Sequence, residues 1–245
     1  MNLRVKQGLI LIAALLSMLL TAYLGRWQLA RAAQKESLQA EVQAQSMLPL
    51  LNNTSLLQAN DALTLLHRKA SLSGRWMPDA TVYLDNRQMQ GKVGFFVFTP
   101  LLLQQEGIVV WVQRGWVPRN FVTRTELPAV QTPSNLVHVN GRIAPPPSKL
   151  YEPGRAEEGT IRQNLKLDAL TLVAGQTISP VILQQQGDAS EGLQRDWSPF
   201  NAGVDKHYGY AAQWFGLSGL IAALYLWFQI VRPIYFRSKK ASLNV

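Results

Sequence analysis

The chain of 245 residues carries 24 Lys and Arg against 15 Asp and Glu, and it has no cysteine. The absence of thiols excludes disulfides, thiolate metal sites and a cysteine nucleophile, so an exported domain must rest on its core alone. The net charge of +9 does not point to nucleic acid, because the basic excess sits beside two apolar runs and not on one face of a folded domain.

Residues 1–6 include Arg4 and Lys6, and residues 7–25 (QGLILIAALLSMLLTAYLG) then carry no charge. This run is longer than the roughly 7–15-residue core of a signal peptide and lacks an A-x-A exit, so it reads as a retained first span. Residues 26–66 read as a helical extension and spacer: Arg26 to Leu48 is rich in Ala, Gln, Glu and Leu, Pro49 and Asn52-Asn53 end the helix, and Leu56 to Leu66 suits a short second one.

From residue 67 to 187 the period changes to that of strands. Alternating or β-rich runs at 68–76, 81–87, 93–103, 108–116, 136–143, 161–165 and 180–185 are separated by turn signals such as Asp85-Asn86 and Asn140-Gly141. This predicts an exported, mainly antiparallel β domain, a small barrel or a sandwich. Leu167 to Ala174 suits a short helix. Residues 144–160 form an irregular, proline-rich excursion, and 188–207 a connecting loop.

The second uncharged run, residues 208–231, is long enough for a helix to cross a hydrocarbon core about 30 Å thick. Tyr208, Tyr210 and Trp214 sit at one end and Tyr225 and Trp227 near the other, as interfacial aromatics do. A basic tail, 232–245, follows with Arg232, Arg237, Lys239 and Lys240. Basic residues at both ends place both termini in the cytoplasm and export the middle; Arg26 and Arg31 oppose this weakly. Small residues recur every four positions at Ala13, Ser17, Thr21 and Gly25, and lie again on one helical face at Ala212, Gly216, Gly219 and Ala223. Two such stripes predict a helix hairpin with a defined seam. The fold class is therefore a membrane protein of α+β type.

No G-x-S-x-G, phosphate-binding loop, H-E-x-x-H or close His/Asp/Glu cluster is present, so no catalytic residue can be named and the chain does not read as an enzyme. His67 and His138 fit half-buried positions in or beside strands. His207 opens the second span, where a neutral imidazole can ligate a metal or haem iron, or simply serve as an interfacial polar group. Tyr210 and Trp214 can flank a flat macrocycle or belong to the aromatic belt. Arg87, Gly94, Arg114, Gly115 and Trp116 read either as ordinary strand-end chemistry or as a docking surface anchored by Arg and Trp.

Four segments in order, GRWQLAR at 25–31, LDNRQMQGKVGFFVFTPL at 84–101, VQRGWVP at 112–118 and HYGYAAQWFGL at 207–217, make the chain resemble the surfeit locus protein 1 family of cytochrome c oxidase assembly factors. The resemblance implies an inner-membrane protein that assists haem-copper terminal oxidase maturation. It further implies transient haem a at His207, flanked by Tyr210 and Trp214, and delivery to oxidase subunit I. Arg87, Arg114 and Trp116 would then meet partners, namely oxidase subunits and other oxidase assembly or haem a synthesis proteins. Gly25, Trp27, Gly94 and Gly115 match structural motif positions. The absence of an Arg- and Ser-rich presequence suits a bacterial member. The competing reading is a membrane scaffold that stabilises oxidase subunits and binds no haem.

Overall fold

The computed structural model describes residues 3–59, 61–104, 107–120, 123, 126–151, 159–165, 177–199 and 203–235. The segment Leu167 to Ala174 and the last ten residues of the basic tail lie outside them. The chain divides into two units, residues 1–39 with 200–245, and residues 40–199.

The first unit is a helix pair. Helix α1 runs unbroken over Leu3–Ser46, and its 44 residues amount to about 66 Å, roughly twice a hydrocarbon core. The extension expected beyond the first span is thus the same helix. Further along the chain, α3 spans Val204–Tyr225 and continues through a π segment, Leu226–Val231. Two helical stretches, Val5–Ser46 and Val204–Tyr235, are long and apolar enough to cross a membrane. The Ser218 hydroxyl donates to the Met18 carbonyl at 3.2 Å, and Tyr208 donates to Glu36 at 2.8 Å. As one helix rises the other descends, so the pair is an antiparallel hairpin.

The seam of this hairpin differs in part from the expected stripes. On α1 it uses Thr21, Gly25 and Ala32, all buried, while Ala13 and Ser17 are exposed. On α3 it uses Ala211, Trp214 and Ser218, whereas Ala212, Gly216, Gly219 and Ala223 are exposed. The reason is geometric: a shift of one position turns a helical residue by about 100°, so Ala211 and Ala212 present different faces. Bulky Trp214 shares the seam with small residues, and a small-residue count alone missed it.

The second unit is built around seven strands: β1 Lys69–Trp76, β2 Val82–Met89, β3 Lys92–Leu103, β4 Ile108–Pro118, β5 Val137–Ala144, β6 Ile161–Arg162 and β7 Thr177–Gln185. They order as β1-β5-β7-β4-β3-β2-β6, and β3 also pairs with β1. This closes a five-stranded barrel, β1-β5-β7-β4-β3. The closure works because β3 is 12 residues long and divides one edge: Lys92 to Phe98 pairs with β2, while Leu101 to Leu103 pairs with β1. The sheet is mixed, since β4–β7 and β2–β6 are parallel and the other pairs antiparallel.

Inward positions at every second residue, among them Leu72, Leu101, Val110, Val112, Val139, Ile143, Val181 and Leu183, form the interior core. Each such side chain contributes roughly 1.5–3 kcal/mol by leaving water. A second layer, Val82, Leu84, Phe98, Trp111, Ala144, Leu165 and Ile182, covers the other face of the sheet.

Two expected turn signals prove to lie within strands. Asn140-Gly141 is interior to β5. Asp85-Asn86 forms a β-bulge in β2, with two residues opposite Phe95 alone. Asn86 adopts φ of +57° and its N–H donates to the Asp85 carboxylate at 2.7 Å. The actual β2–β3 turn is Gln90-Gly91, both residues at positive φ, the two-residue geometry whose twist suits a hairpin. Asn52 also changes role: it caps the N-terminus of α2 (Asn53–Leu57) by accepting from the Ser55 N–H. Asn53 then pins that helix to β1 by bonding both backbone groups of Ser73.

Candidate functional site

In the helical unit His207 lies in the first turn of α3, half-buried, with its Nδ1 2.7 Å from Oε1 of Gln28 on α1. Trp214 follows two turns later on the same face, and Tyr210 lies one turn on and is 50% exposed. Gly25, one turn before Gln28, is buried where the Phe215 ring of α3 lies against α1. A Cβ there would stand 2.9 Å from the Phe215 ring, so the ring in this position packs on a glycine and a larger residue would have to displace it. Trp27 projects away from the seam and is exposed, as an interfacial tryptophan does. Lys206 and Arg26 are exposed in the same unit. The structure thus brings His207, Trp214 and the α1 motif together, with Gln28 as the contact that residue-type reasoning passed over. Its signal was its place three residues after Gly25 in GRWQLAR.

With the Gln28 amide oxygen toward the ring, Nδ1 must carry the hydrogen, because a carbonyl oxygen can only accept. Nε2 then keeps its lone pair. This is the arrangement in which a second residue orients a ligating histidine.

The other group of motif residues belongs to the β domain, and it corrects an expectation. Arg114 is 0%, Trp116 1% and Arg87 6% exposed, so these side chains are interior and present no docking surface. Arg114 is the extra residue of a bulge in β4, opposite the step from Val97 to Phe98. The bulge puts Arg114 and Gly115 consecutively on the inner side, which alternation could not foresee. The Arg114 guanidinium stacks 4.6 Å above the Trp76 ring, donates to Thr132 Oγ1 at 2.7 Å and to the Gln131 carbonyl at 2.6 Å, and pairs with Glu191 at 3.0 Å.

Glu191 also takes Arg195 at 3.3 Å. It sits with Gly192 in a two-residue turn, both at positive φ, closed by hydrogen bonds between Ser190 and Leu193. Residues 188–207 read from the sequence as a connecting loop, and this hairpin lies within it. It docks on β4 where Gly115 leaves room for Leu193, while Trp116 and Gln194 exchange backbone hydrogen bonds. Burial lowers the Arg195 pKa, with Glu191 opposing and Arg114 reinforcing the shift. The Trp116 indole lies over Gly94, where a Cβ would be 2.5 Å from the ring, and its Nε1 donates to the Arg87 carbonyl at 3.0 Å. The Arg87 guanidinium donates to the Ser148 and Gln163 carbonyls at 3.0 and 2.7 Å, clasping the segments that flank β6, and burial lowers its pKa. At the β2 bulge Asp85 pairs with Arg119 at 3.2 Å.

His138 bonds Ser73 across β5 and β1 at 2.8 Å. His67 is buried at the start of the barrel. Among the described residues no three His, Cys, Asp or Glu side chains gather as a metal site.

The sequence profile of the SURF1 family matches residues 15–219, which takes in most of both helices and the whole β domain. The chain belongs to the SURF1 family. SURF1-like proteins of Rickettsia felis and Rickettsia conorii are 24% and 25% identical over 211 residues, covering 83% of this chain and 89% and 84% of theirs. The cytochrome oxidase assembly protein SHY1 of Saccharomyces cerevisiae is 28% identical over 102 residues, 40% of this chain and 25% of its own length. In this SURF1-family chain the family likeness embraces two physically different settings, a half-exposed helical crossing and a buried arginine network.

Proposed function

We propose that this protein acts in the assembly of haem-copper cytochrome oxidase, binding haem a at His207 and assisting its transfer to oxidase subunit I. Oxidase assembly is what the yeast relative's name states, and family membership supports carrying it to this chain. The observation that carries the haem part is the His207–Gln28 hydrogen bond at 2.7 Å, which engages Nδ1 and, with Nδ1 as the donor, leaves Nε2 as the basic nitrogen. One neutral imidazole is the donor an axial haem position needs, so the residues present fit the group. When bound, haem would supply an iron centre that accepts this nitrogen and an extended apolar ring. Trp214 and Tyr210 supply aromatic surface beside the histidine, and Lys206 and Arg26 are the cations at hand for propionates.

The task is capture and release, without bond chemistry on the protein. Half-exposure of His207 suits both, since a deeply enclosed ligand would hold on too long. We place the β domain on the periplasmic side of a bacterial inner membrane with both termini cytoplasmic, from the basic residues that flank the two spans. Partners in that setting are oxidase subunits and haem a synthesis proteins.

The test is to purify the full chain from cells that make haem a and record its absorption spectrum. The Soret band is expected in the wild type and lost in His207→Ala. An unchanged band and haem stoichiometry in that variant would remove His207 as the ligand. Crosslinks to oxidase subunits that persist after complete haem a depletion would favour a scaffold that needs no haem.

A further inference from the structure

We infer that Gln28 is a positioning residue that fixes the tautomer of His207, protonated at Nδ1, and thereby makes Nε2 its ligating nitrogen. What Nε2 would bind rests on the proposed haem reading; the tautomer does not. A neutral imidazole has one N–H, and its location is set by whichever partner meets the ring first. Gln28 Oε1 meets Nδ1 at 2.7 Å, a short, direct contact across the helix pair.

The crossing is built to hold that contact. Gly25 lets the Phe215 ring lie against α1, and Ala32 and Ala211 are buried on the facing sides, so Gln28 reaches α3 without stretching. A free imidazole in water prefers the opposite tautomer, with the hydrogen on Nε2. Its lone pair would then sit on Nδ1, next to Cβ and the helix backbone, where a broad planar ligand is obstructed. Gln28 removes that choice before any ligand arrives, and pre-selection of this kind limits what binding must reorganise. The reverse orientation of the amide would donate an N–H to a bare Nδ1 and produce the opposite state, so the two arrangements are separable by experiment.

The experiment is solid-state NMR of the full-length, haem-free protein in lipid bilayers, labelled with nitrogen-15 at histidine and held at alkaline pH. The chain has three histidines, and subtraction of the His207→Ala spectrum isolates the ring nitrogens of His207. The wild type is expected to show the proton on Nδ1. Gln28→Glu should retain it, because a carboxylate only accepts, while Gln28→Leu should move the proton to Nε2 with the helical circular dichroism unchanged. On addition of haem, Gln28→Leu should bind about 10-fold more weakly, the lower end of what loss of an orienting partner costs a metal-ligating histidine, and Gln28→Glu should rescue binding. A wild-type proton on Nε2, or no change of tautomer in Gln28→Leu, would overturn the inference. Failure of the wild type to bind haem would strike the proposed function alone, since the tautomer is read on the haem-free chain.

Discussion

The arginines of the β domain and the histidine of the helical unit belong to the same set of motif segments, yet their surroundings set them opposite tasks. Arg114 is enclosed, with its charge answered by Glu191, an aromatic face and two oxygen acceptors. His207 is half-exposed, and Gln28 occupies only one of its two nitrogens. A side chain enclosed with its charge answered can only hold structure together, whereas one left half-exposed at a surface can act on something else. Motif membership does not distinguish these cases. Burial and an answered charge do.

If that contrast is sound, stability and ligand binding should separate by mutation. Arg114→Ala is expected to be the most damaging, because it strips a buried network of its cation; a loss of about 3 kcal/mol should appear as a much lower unfolding midpoint of the β domain, followed by near-ultraviolet circular dichroism. Gly94→Ala comes next. Its new methyl would collide with the Val117 carbonyl and the Trp116 ring, an overpacking worth about 2 kcal/mol. Trp116→Phe keeps an aromatic ring but loses part of the buried indole and with it the bond to the Arg87 carbonyl, which should cost at least about 1 kcal/mol by the same measurement. His207→Ala should leave the β-domain midpoint within about 0.5 kcal/mol of wild type, as surface changes do, while abolishing haem binding. A large drop in that midpoint would collapse the contrast.

The smallest effect concerns pH. Burial, and then Arg142, lower the pKa of His67 below its ordinary 6.5, with Glu41 opposing. The unfolded chain therefore takes up a proton at higher pH than the folded one. The stability tied to a neutral His67 is complete above about pH 6.5 and is lost as pH falls from there through the folded value. His67→Asn, which suits the residue's φ of +70°, should flatten that part of the stability curve between pH 7 and 5 relative to wild type.

All seven strands were legible as alternating or β-rich runs, because a sheet with one face inward repeats every two residues. What alternation could not convey was the parallel β4–β7 pairing, the division of β3 between two partners, or the bulges at Asp85-Asn86 and Arg114. A bulge breaks the period at the point where the motif residues stand, so Arg87 and Arg114 looked like surface anchors. Arginine's usual exposure reinforced that reading, and it took Glu191, 77 residues further along the chain than Arg114, to make burial of the charge tolerable. The Glu191-Gly192 hairpin carried a turn signal, but without strong strands on either side it passed as loop. At the helix pair the opposite held: both spans and His207 were visible in the sequence, while Gln28 was hidden by being an unremarkable residue on a long helix.

The position of β7 has a consequence for how the chain is made. It enters between β4 and β5, and it is the last of the seven strands to be synthesised. Until residue 185 has emerged, two long strand edges stand open side by side, the templates on which sheets recruit foreign chains. The contacts that seal them span more than 30 residues on either side of β7, which makes the final step slow in comparison with hairpin formation. A chain truncated ahead of Thr177 is therefore expected to aggregate instead of folding into a smaller barrel.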